Sequence, residues 1–466
     1  NRQSLLISQV SFNGPCMVKY DMNKDGLDDI IIGGTIGQAA ALYQQEKNGS
    51  FHAINVPAFE SDKMFADADI AVLDANKDGL PDIYVASGGY NNLTPADNFL
   101  QDRLYLNQGN NSFIRSTGLP EIKGSKSCVR IHDINGDGSP DIFVGGRVVP
   151  GRYPETPASY ILINDGKGNF TDQSKQICPD ISNAGMITDA VWVDLDQDNK
   201  DELVIVGEWM PVLVFKNENS KLINSTSKYF DSNYLGWWNK ITVGDFNGDN
   251  RPDLVIGNFG LNTQFRASEK EPIEMFYKDF DKNGSVDPIF SFYIQDKKYP
   301  FITRDELLGQ LPVMRKRFAD FKSYADITID DLFTESDLKD AGHLVASHMA
   351  TSCFLSNPSG KYELKELSVQ AQYSPVYTID TLDFNHDGNT DLLLCGNNSF
   401  TKIRLGKFDA NYGVLLAGDG KGNFKYINQI ESGFKIRGDV RSCIQIGNKI
   451  LFGMCGQQLI AYSLKK

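Results

Sequence analysis

The sequence lacks most signals that announce a chemistry. It has no CxxC pair, and its seven cysteines, an odd number, run from Cys16 to Cys455 without the spacing of a zinc ribbon or a dense disulfide framework. Core thiols are expected instead, since free Cys packs as a small apolar group. There is no HExxH and no GxSxG, and the five histidines (His52, His132, His343, His348, His386) show no ligand spacing. No apolar run approaches the roughly 20 residues that span a bilayer. Basic charge is also scarce: 46 Lys and Arg against 60 Asp and Glu leave a formal charge of −14. With no basic tail, a nucleic-acid partner is not expected, because phosphate binding draws on Lys and Arg. The chain opens at Asn1 with neither a Met nor an apolar targeting segment, so a processed form or an excerpt of a longer protein is expected.

What the 466 residues do contain is Gly (42), Phe (28) and Tyr (19), a balance that leans toward a turn-rich β protein. They also contain a repeat. Asp, Asn or Asp, then Asp or Asn recur at alternate positions, usually followed by Gly, with an acid at position 9. The seven copies, by positions 1, 3, 5 and 9, begin with Asp21, Asn23, Asp25 and Asp29; Asp74, Asn76, Asp78 and Asp82; and Asp133, Asn135, Asp137 and Asp141. They continue with Asp194, Asp196, Asp198 and Glu202; Asp245, Asn247, Asp249 and Asp253; Asp279, Asp281, Asn283 and Asp287; and Asp383, Asn385, Asp387 and Asp391.

The spacing suits calcium. Ca²⁺ takes six to eight oxygens, a tight loop presents side chains 1, 3 and 5 with a carbonyl at 7, and Gly at 6 permits the turn. An EF-hand would need Glu at position 12, where this chain has Ile32, Val85, Val144, Ile205, Ile256, Phe290 and Leu394. Position 9 closes the loop instead, and an apolar strand follows at once. The four positions hold 22 carboxylates in all, so up to seven Ca²⁺ are expected, and a chain without them would suffer like-charge repulsion. Asn199 and Asn250 replace Gly at position 6, which makes those two loops the expected weak sites. Plain Asx turns are the metal-free alternative.

Between the loops lie hairpin turns before Phe51, Phe113, Phe170, Leu222, Tyr362 and Phe424. The unit is then four antiparallel strands per about 50 residues, a propeller blade. The expected fold is an all-β, seven-bladed β-propeller of four-stranded antiparallel blades. Residues 1–466 form one domain, with 261–349 inserted in blade five as a hairpin with its own acidic loop, followed by helices. SLLISQV near the N-terminus would complete the last blade. Eight blades, with the inserted hairpin counted as one, is the alternative.

In such a ring the acidic loops lie on one face, and the long B–C and D–A connections on the other. Arg103, Arg147, Arg152, Tyr153, Trp209, Trp237, Trp238, Arg266 and Arg404 fall in those connections and are the candidate ligand residues, since Trp and Arg anchor binding surfaces. Filling of gaps between blades is the competing reading for the tryptophans. Cys16, Asp69, Cys128, Asp189, Lys240, Thr378 and Cys443 should ring the channel near that face. The basic run Arg315–Phe318 in the insert is either a solvated edge or a docking surface.

The loop followed by a strand resembles the FG-GAP/VCBS repeats of integrin α-subunit propellers. GGRVVPGRYP, GEWMP, GWWN, GNFGLNTQF and KDFDKNGSVDP look closer to bacterial, Bacteroidetes-type proteins related to cartilage acidic protein and the ASPIC/UnbV group. The resemblance implies an exported, calcium-bearing propeller, often a lipoprotein of the outer membrane, whose relatives carry a further repeat half upstream. The function expected is that of a cell-surface or secreted binding or assembly module for a glycan or protein rather than of an enzyme. A polysaccharide lyase or hydrolase with its site on the same face is the alternative.

Overall fold

The computed structural model describes residues 5–464 and contains eight antiparallel sheets. Sheet one is Met17–Tyr20, Asp29–Ile32, Ala41–Gln45 and Phe51–Ile54; sheet two is Asp67–Leu73, Asp82–Ser87, Arg103–Asn107 and Phe113–Arg115. Sheet three is Ser125–His132, Asp141–Val148, Tyr160–Asn164 and Phe170–Asp172. Sheet four is Met186–Val193, Glu202–Met210, Leu213–Glu218 and Lys221–Asn224, with Gly236–Trp237 added beside its second strand. Sheet five joins Lys240–Gly244 and Asp253–Gly257 to Ser352–Ser356 and Tyr362–Glu366. Sheet six is Val376–Leu382, Asp391–Gly396, Val414–Gly418 and Phe424–Ile427, and sheet seven has three strands, Val440–Ile446, Lys449–Met454 and Ile460–Ser463.

The first strands of these seven sheets touch in chain order, and that of sheet seven touches that of sheet one. Apolar clusters fill the gaps between neighbours. Leu73 and Tyr84 meet Val129 and Ile142; Val204 and Val214 meet Leu254 and Phe354; Leu393 and Leu415 meet Ile450 and Phe452. Each strand after an acidic loop is a continuous apolar run because both of its faces are covered.

The eighth sheet lies between the second and third strands of sheet five in sequence. Its order is Lys297–Pro300, Asp287–Ile294, Ile273–Lys278 and Gly342–Ala346, and it takes no part in the cycle of first strands. The chain thus has eight sheets where seven blades were expected, the inserted segment supplying the extra one. Helix Arg304–Gln310 lies between its strands Lys297–Pro300 and Gly342–Ala346, opened by a capping box in which Thr303 accepts from Glu306 N and Glu306 accepts from Thr303 N. The basic run after it is partly consumed by packing: Phe318 is buried, and Arg317 Nη1 donates to Leu332 O at 2.8 Å. No helix of the described residues is long and apolar enough to cross a membrane.

The N-terminal expectation is corrected. Residues 5–10 do not add an outer strand to sheet seven; residue 4 lies outside the described residues. Gln9 N donates to Phe400 O and Lys402 N to Ile7 O, at 2.9 and 3.0 Å. Leu5, Ile7 and Val10 are buried against the inserted segment and its neighbours, a depth that an edge strand with one face in water would not give them. Sheets seven and one are joined instead by Arg441 Nε to Phe12 O (3.0 Å) and Ser442 Oγ to Pro15 O (2.7 Å).

Trp238 is fully buried between sheets four and five, its Nε1 donating to Tyr234 O. Trp238→Ala is expected to cost about 3–5 kcal/mol in chemical denaturation, from lost burial and an unfilled cavity. A loss under about 1 kcal/mol would contradict this packing.

Candidate metal loops and ligand-binding face

The seven acidic loops share one geometry. The acid at position 1 accepts the backbone N–H of positions 5 and 6 in every copy, as Asp133 does from Asp137 and Gly138. Position 6 takes the left-handed conformation throughout, and Asn199 and Asn250 adopt it at φ of 65° and 61°.

Position 9 does something the spacing did not reveal. Asp29, Asp82, Asp141, Glu202, Asp253, Asp287 and Asp391 are all buried, and each accepts the N–H of position 2 at 2.8–3.1 Å. In five copies the second oxygen accepts an N–H from the third strand of the same sheet: Gln45, Asn107, Asn164, Ser356 and Gly418. Gln310 Nε2 serves Asp287 in the inserted sheet. Burial pushes Asp82, Asp141 and Asp287 up to about 6. For a raised carboxyl the contribution to the metal-free fold is full below the ordinary carboxylate range and fades as pH rises through about 6.

Two groups of described residues are close enough to hold a metal ion. Asp279, Asp281 and Asp287, and likewise Asp194, Asp196 and Glu202, bring one carboxylate oxygen each within 4.8 Å of one another. At the first, Asp281 Oδ1 is buried without a hydrogen-bond partner, which fits a cation. At the second, Asp196 Oδ1 and Glu202 Oε1 are likewise buried without a hydrogen-bond partner, but Lys216 Nζ already lies 2.5 Å from Asp196, 2.7 Å from Asp198 and 3.4 Å from Glu202. Burial would raise Asp196, but Lys216 and Lys228 bring it down to about 2. In four of the remaining loops the position-3 amide (Asn23, Asn76, Asn135, Asn385) donates to the position-5 carboxylate, an arrangement satisfied without a metal.

On the opposite face, most candidate ligand residues turn out to be structural. Trp209 packs against Trp237, and Trp237 stacks on Phe259 at 4.8 Å, all buried with Phe290 of the inserted sheet. Tyr153 is buried as well, accepting from Trp209 Nε1 at 2.8 Å. Arg103 is tied to Asp67 at 2.5 Å and Arg147 to Glu208 at 2.6 Å, both out of solvent. These five, with Trp238, are buried rather than presented to a ligand at the surface: the inserted sheet covers the connections that carry Trp209 and Trp237. Arg152, Arg266 and Arg404 stay at the surface. Arg152 pairs with Glu155, Arg266 donates to Leu261 O, and Arg404 pairs with Glu306.

Arg404 sits in a setting that sequence reading missed. Its guanidinium lies 3.7 Å from the Phe301 ring centroid. It lines a cavity of about 480 Å³ with Phe292, Tyr299, Phe301, Gln295 and Asp326. Phe292 and Tyr299 are cross-strand partners, so the alternating aromatics of SFYI and KKYPF were the available signal.

The channel residues mostly staple blades together. Asp69 accepts from Val129 N, Asp189 from Ile241 N, and Arg130 pairs with both acids. Lys240 holds Asp189 at 2.9 Å. Six of the seven expected ring residues line a central cavity of about 200 Å³; Cys128 does not. All seven cysteines are free, five of them buried.

Against this geometry, the FG-GAP-like repeat matches residues 21–85, 74–144, 133–205 and 194–256, each match running from one acidic loop through the strand after the next. These spans join into 21–256, just over half of the chain. The chain belongs to the FG-GAP-like repeat family. No curated protein sequence matches it. Among solved structures, this FG-GAP-like propeller is similar to an Agrocybe aegerita lectin that recognises non-reducing terminal N-acetylglucosamine (14% identity, 88% of this chain and 79% of that one, TM-score 0.44). It is also similar to the V. cholerae biofilm matrix protein Bap1 (12%, 99% and 89%, TM-score 0.38) and to Saccharomyces cerevisiae Sqt1 (10%, 98% and 100%, TM-score 0.45). Scores below 0.5 support no conclusion about what this chain binds.

The loop geometry separates two roles. Asp141→Ala leaves the Ile134 and Asn164 N–H groups without their acceptor and should cost about 2 kcal/mol or more with or without calcium. Asp133→Ala should cost stability chiefly when calcium is present. A loss at Asp141 that disappears in chelator, read by denaturant melts, would reduce it to a metal ligand only.

Proposed function

We propose that this chain is a calcium-stabilised binding module that works outside the cell, one domain over 1–466 with 261–349 as its insertion. Its ligand is a glycan, taken on the face of the B–C and D–A connections. The observation that carries the reading is the Arg404 cavity. Aromatic rings of Phe292 and Tyr299 beside a guanidinium, with the Gln295 amide and the Asp326 carboxylate at the rim, combine flat apolar surface with donors and acceptors. A polyhydroxylated ring asks for that mixture: its C–H face stacks and its hydroxyls hydrogen-bond. The net charge of −14 steers polyanions such as nucleic acid away.

Calcium supports the module rather than the ligand contact. The Asp279 loop, with its unpartnered Asp281 oxygen, is the best-formed site, and the remaining loops present the same oxygens at positions 1, 3, 5 and 9. Outside the cell calcium is millimolar, enough to fill sites of about 10⁻⁴ M. Each site filled to about 100 times its Kd adds roughly 2.7 kcal/mol to the native state. Lipoprotein anchoring and an upstream repeat half, as in the bacterial proteins this chain resembles, would place it at the outer membrane.

Two measurements test the proposal. Melting in excess chelator should fall well below that in millimolar calcium; an unchanged curve with no metal by elemental analysis discards calcium. A glycan and peptide array should give glycan binding that Arg404→Ala weakens at least about tenfold, or roughly 1.4 kcal/mol. Peptide binding alone would replace the glycan with a protein partner.

A further inference from the structure

The fourth acidic loop joins three features, of which only the Asn at position 6 recurs in a sibling, at Asn250. It carries a fourth carboxylate, because Asp196 stands where five of the other loops have Asn. It has Asn199 in place of Gly at position 6. And the third strand of its sheet places a lysine over it. The residue after position 9 pairs with that strand in every ring sheet bearing a loop: Leu203 with Phe215, Ile30 with Tyr43, Ile83 with Tyr105, Ile142 with Leu162, Leu254 with Phe354, Leu392 with Leu416. The residue that follows on the third strand is Lys216 in sheet four, against Gln44, Leu106, Ile163, Leu355 and Ala417 elsewhere.

We propose that Lys216 is the resident cation of the fourth loop, an ammonium standing where the sibling loops take calcium, so that sheet four is locked without metal. An ammonium has three N–H donors, and Nζ has three carboxylates to meet: Asp196, Asp198 and Glu202, at 2.5, 2.7 and 3.4 Å. Only 16% of its side chain is exposed, so water screens these contacts weakly. Asp196, the added carboxylate, is the one that Lys228 and the Tyr229 hydroxyl also reach, from the helical turn Thr226–Tyr229. An Asn at that position would bring no charge to balance either lysine.

Glu202 completes the pattern. In the five other ring loops the acid at position 9 is an Asp whose second oxygen accepts a third-strand N–H. Here the longer Glu receives no third-strand N–H on its second carboxylate oxygen, which lies 3.4 Å from Lys216 Nζ as an ion pair without a hydrogen bond. Calcium could enter this loop only by expelling a cation already hydrogen-bonded to Asp196 and Asp198. Of the three carboxylates that converge as a metal site would, Lys216 lies against two, Asp196 and Glu202.

This inference rests on the calcium reading of the sibling loops, and the test separates the two. Native mass spectrometry of the full chain in calcium chloride would count bound calcium in the wild type, in Lys216→Leu, which copies sheets two and five, and in Asp281→Ala. Lys216→Leu should gain one calcium per chain, and Asp281→Ala should lose one. No gain in Lys216→Leu, with one calcium still lost in Asp281→Ala, overturns the inference and leaves the calcium reading standing. No calcium on any of the three overturns both. Hydrogen exchange on the wild type guards against a variant that does not fold. On chelation, amides of 279–287 should lose protection while those of 194–202 keep theirs; equal loss in both loops also overturns the inference.

Discussion

Every blade with an acidic loop depends on a single buried carboxylate. At position 9 it accepts an amide of its own loop, and in five sheets its other oxygen accepts an amide of the third strand. Both are otherwise unsatisfied backbone donors in a place water does not reach, so each bond removes a desolvation penalty as well as adding an attraction. The loop, the strand leaving it and the strand two places out are thereby fixed to one atom group. An acid buried so completely is costly unless its oxygens are engaged, as both are in those five sheets.

Charge on the inside of the ring follows the same logic. Asp69 and Asp189 accept amides from the neighbouring first strand and are neutralised by Arg130 and Lys240. Lys126 Nζ and Asp102 are wholly buried together. In a closed ring each blade has two neighbours, and hydrogen bonds between first strands do for the axis what the apolar clusters do for the rest of the blade. The last junction, between sheets seven and one, relies on Arg441 and Ser442 reaching backbone carbonyls of the N-terminal segment.

The inserted sheet changes which residues can meet a ligand. By packing Phe290, Met275 and Phe265 onto Trp209, Trp237 and Phe259, it turns part of an exposed loop face into core. The surface that replaces it is its own outer side, where Phe292 and Tyr299 lie beside Arg404 of a sheet-six connection. The proposed ligand contacts thus come from the inserted sheet and from the sheet-six connection that carries Arg404.

The sequence by itself determined the repeat, the four-stranded unit and the place of every acidic loop. These are local properties: alternate oxygens, a left-handed residue at position 6 and an apolar run after position 9 act within a dozen residues of one another. It also made the insertion legible as a break in the interval between loops, and the Thr303–Glu306 cap as a spacing of three. The tertiary structure decided what depends on distant partners. Residues 5–10 read as a strand, but their fate turned on where Leu5 and Ile7 could be buried most deeply. Trp209 and Trp237 read as anchors, but whether they face solvent depends on a sheet folded from residues more than 30 positions away. The Asp194 loop reads as the most acidic of the seven, and only the register of the third strand, which brings Lys216 over it, shows that its charge is already answered.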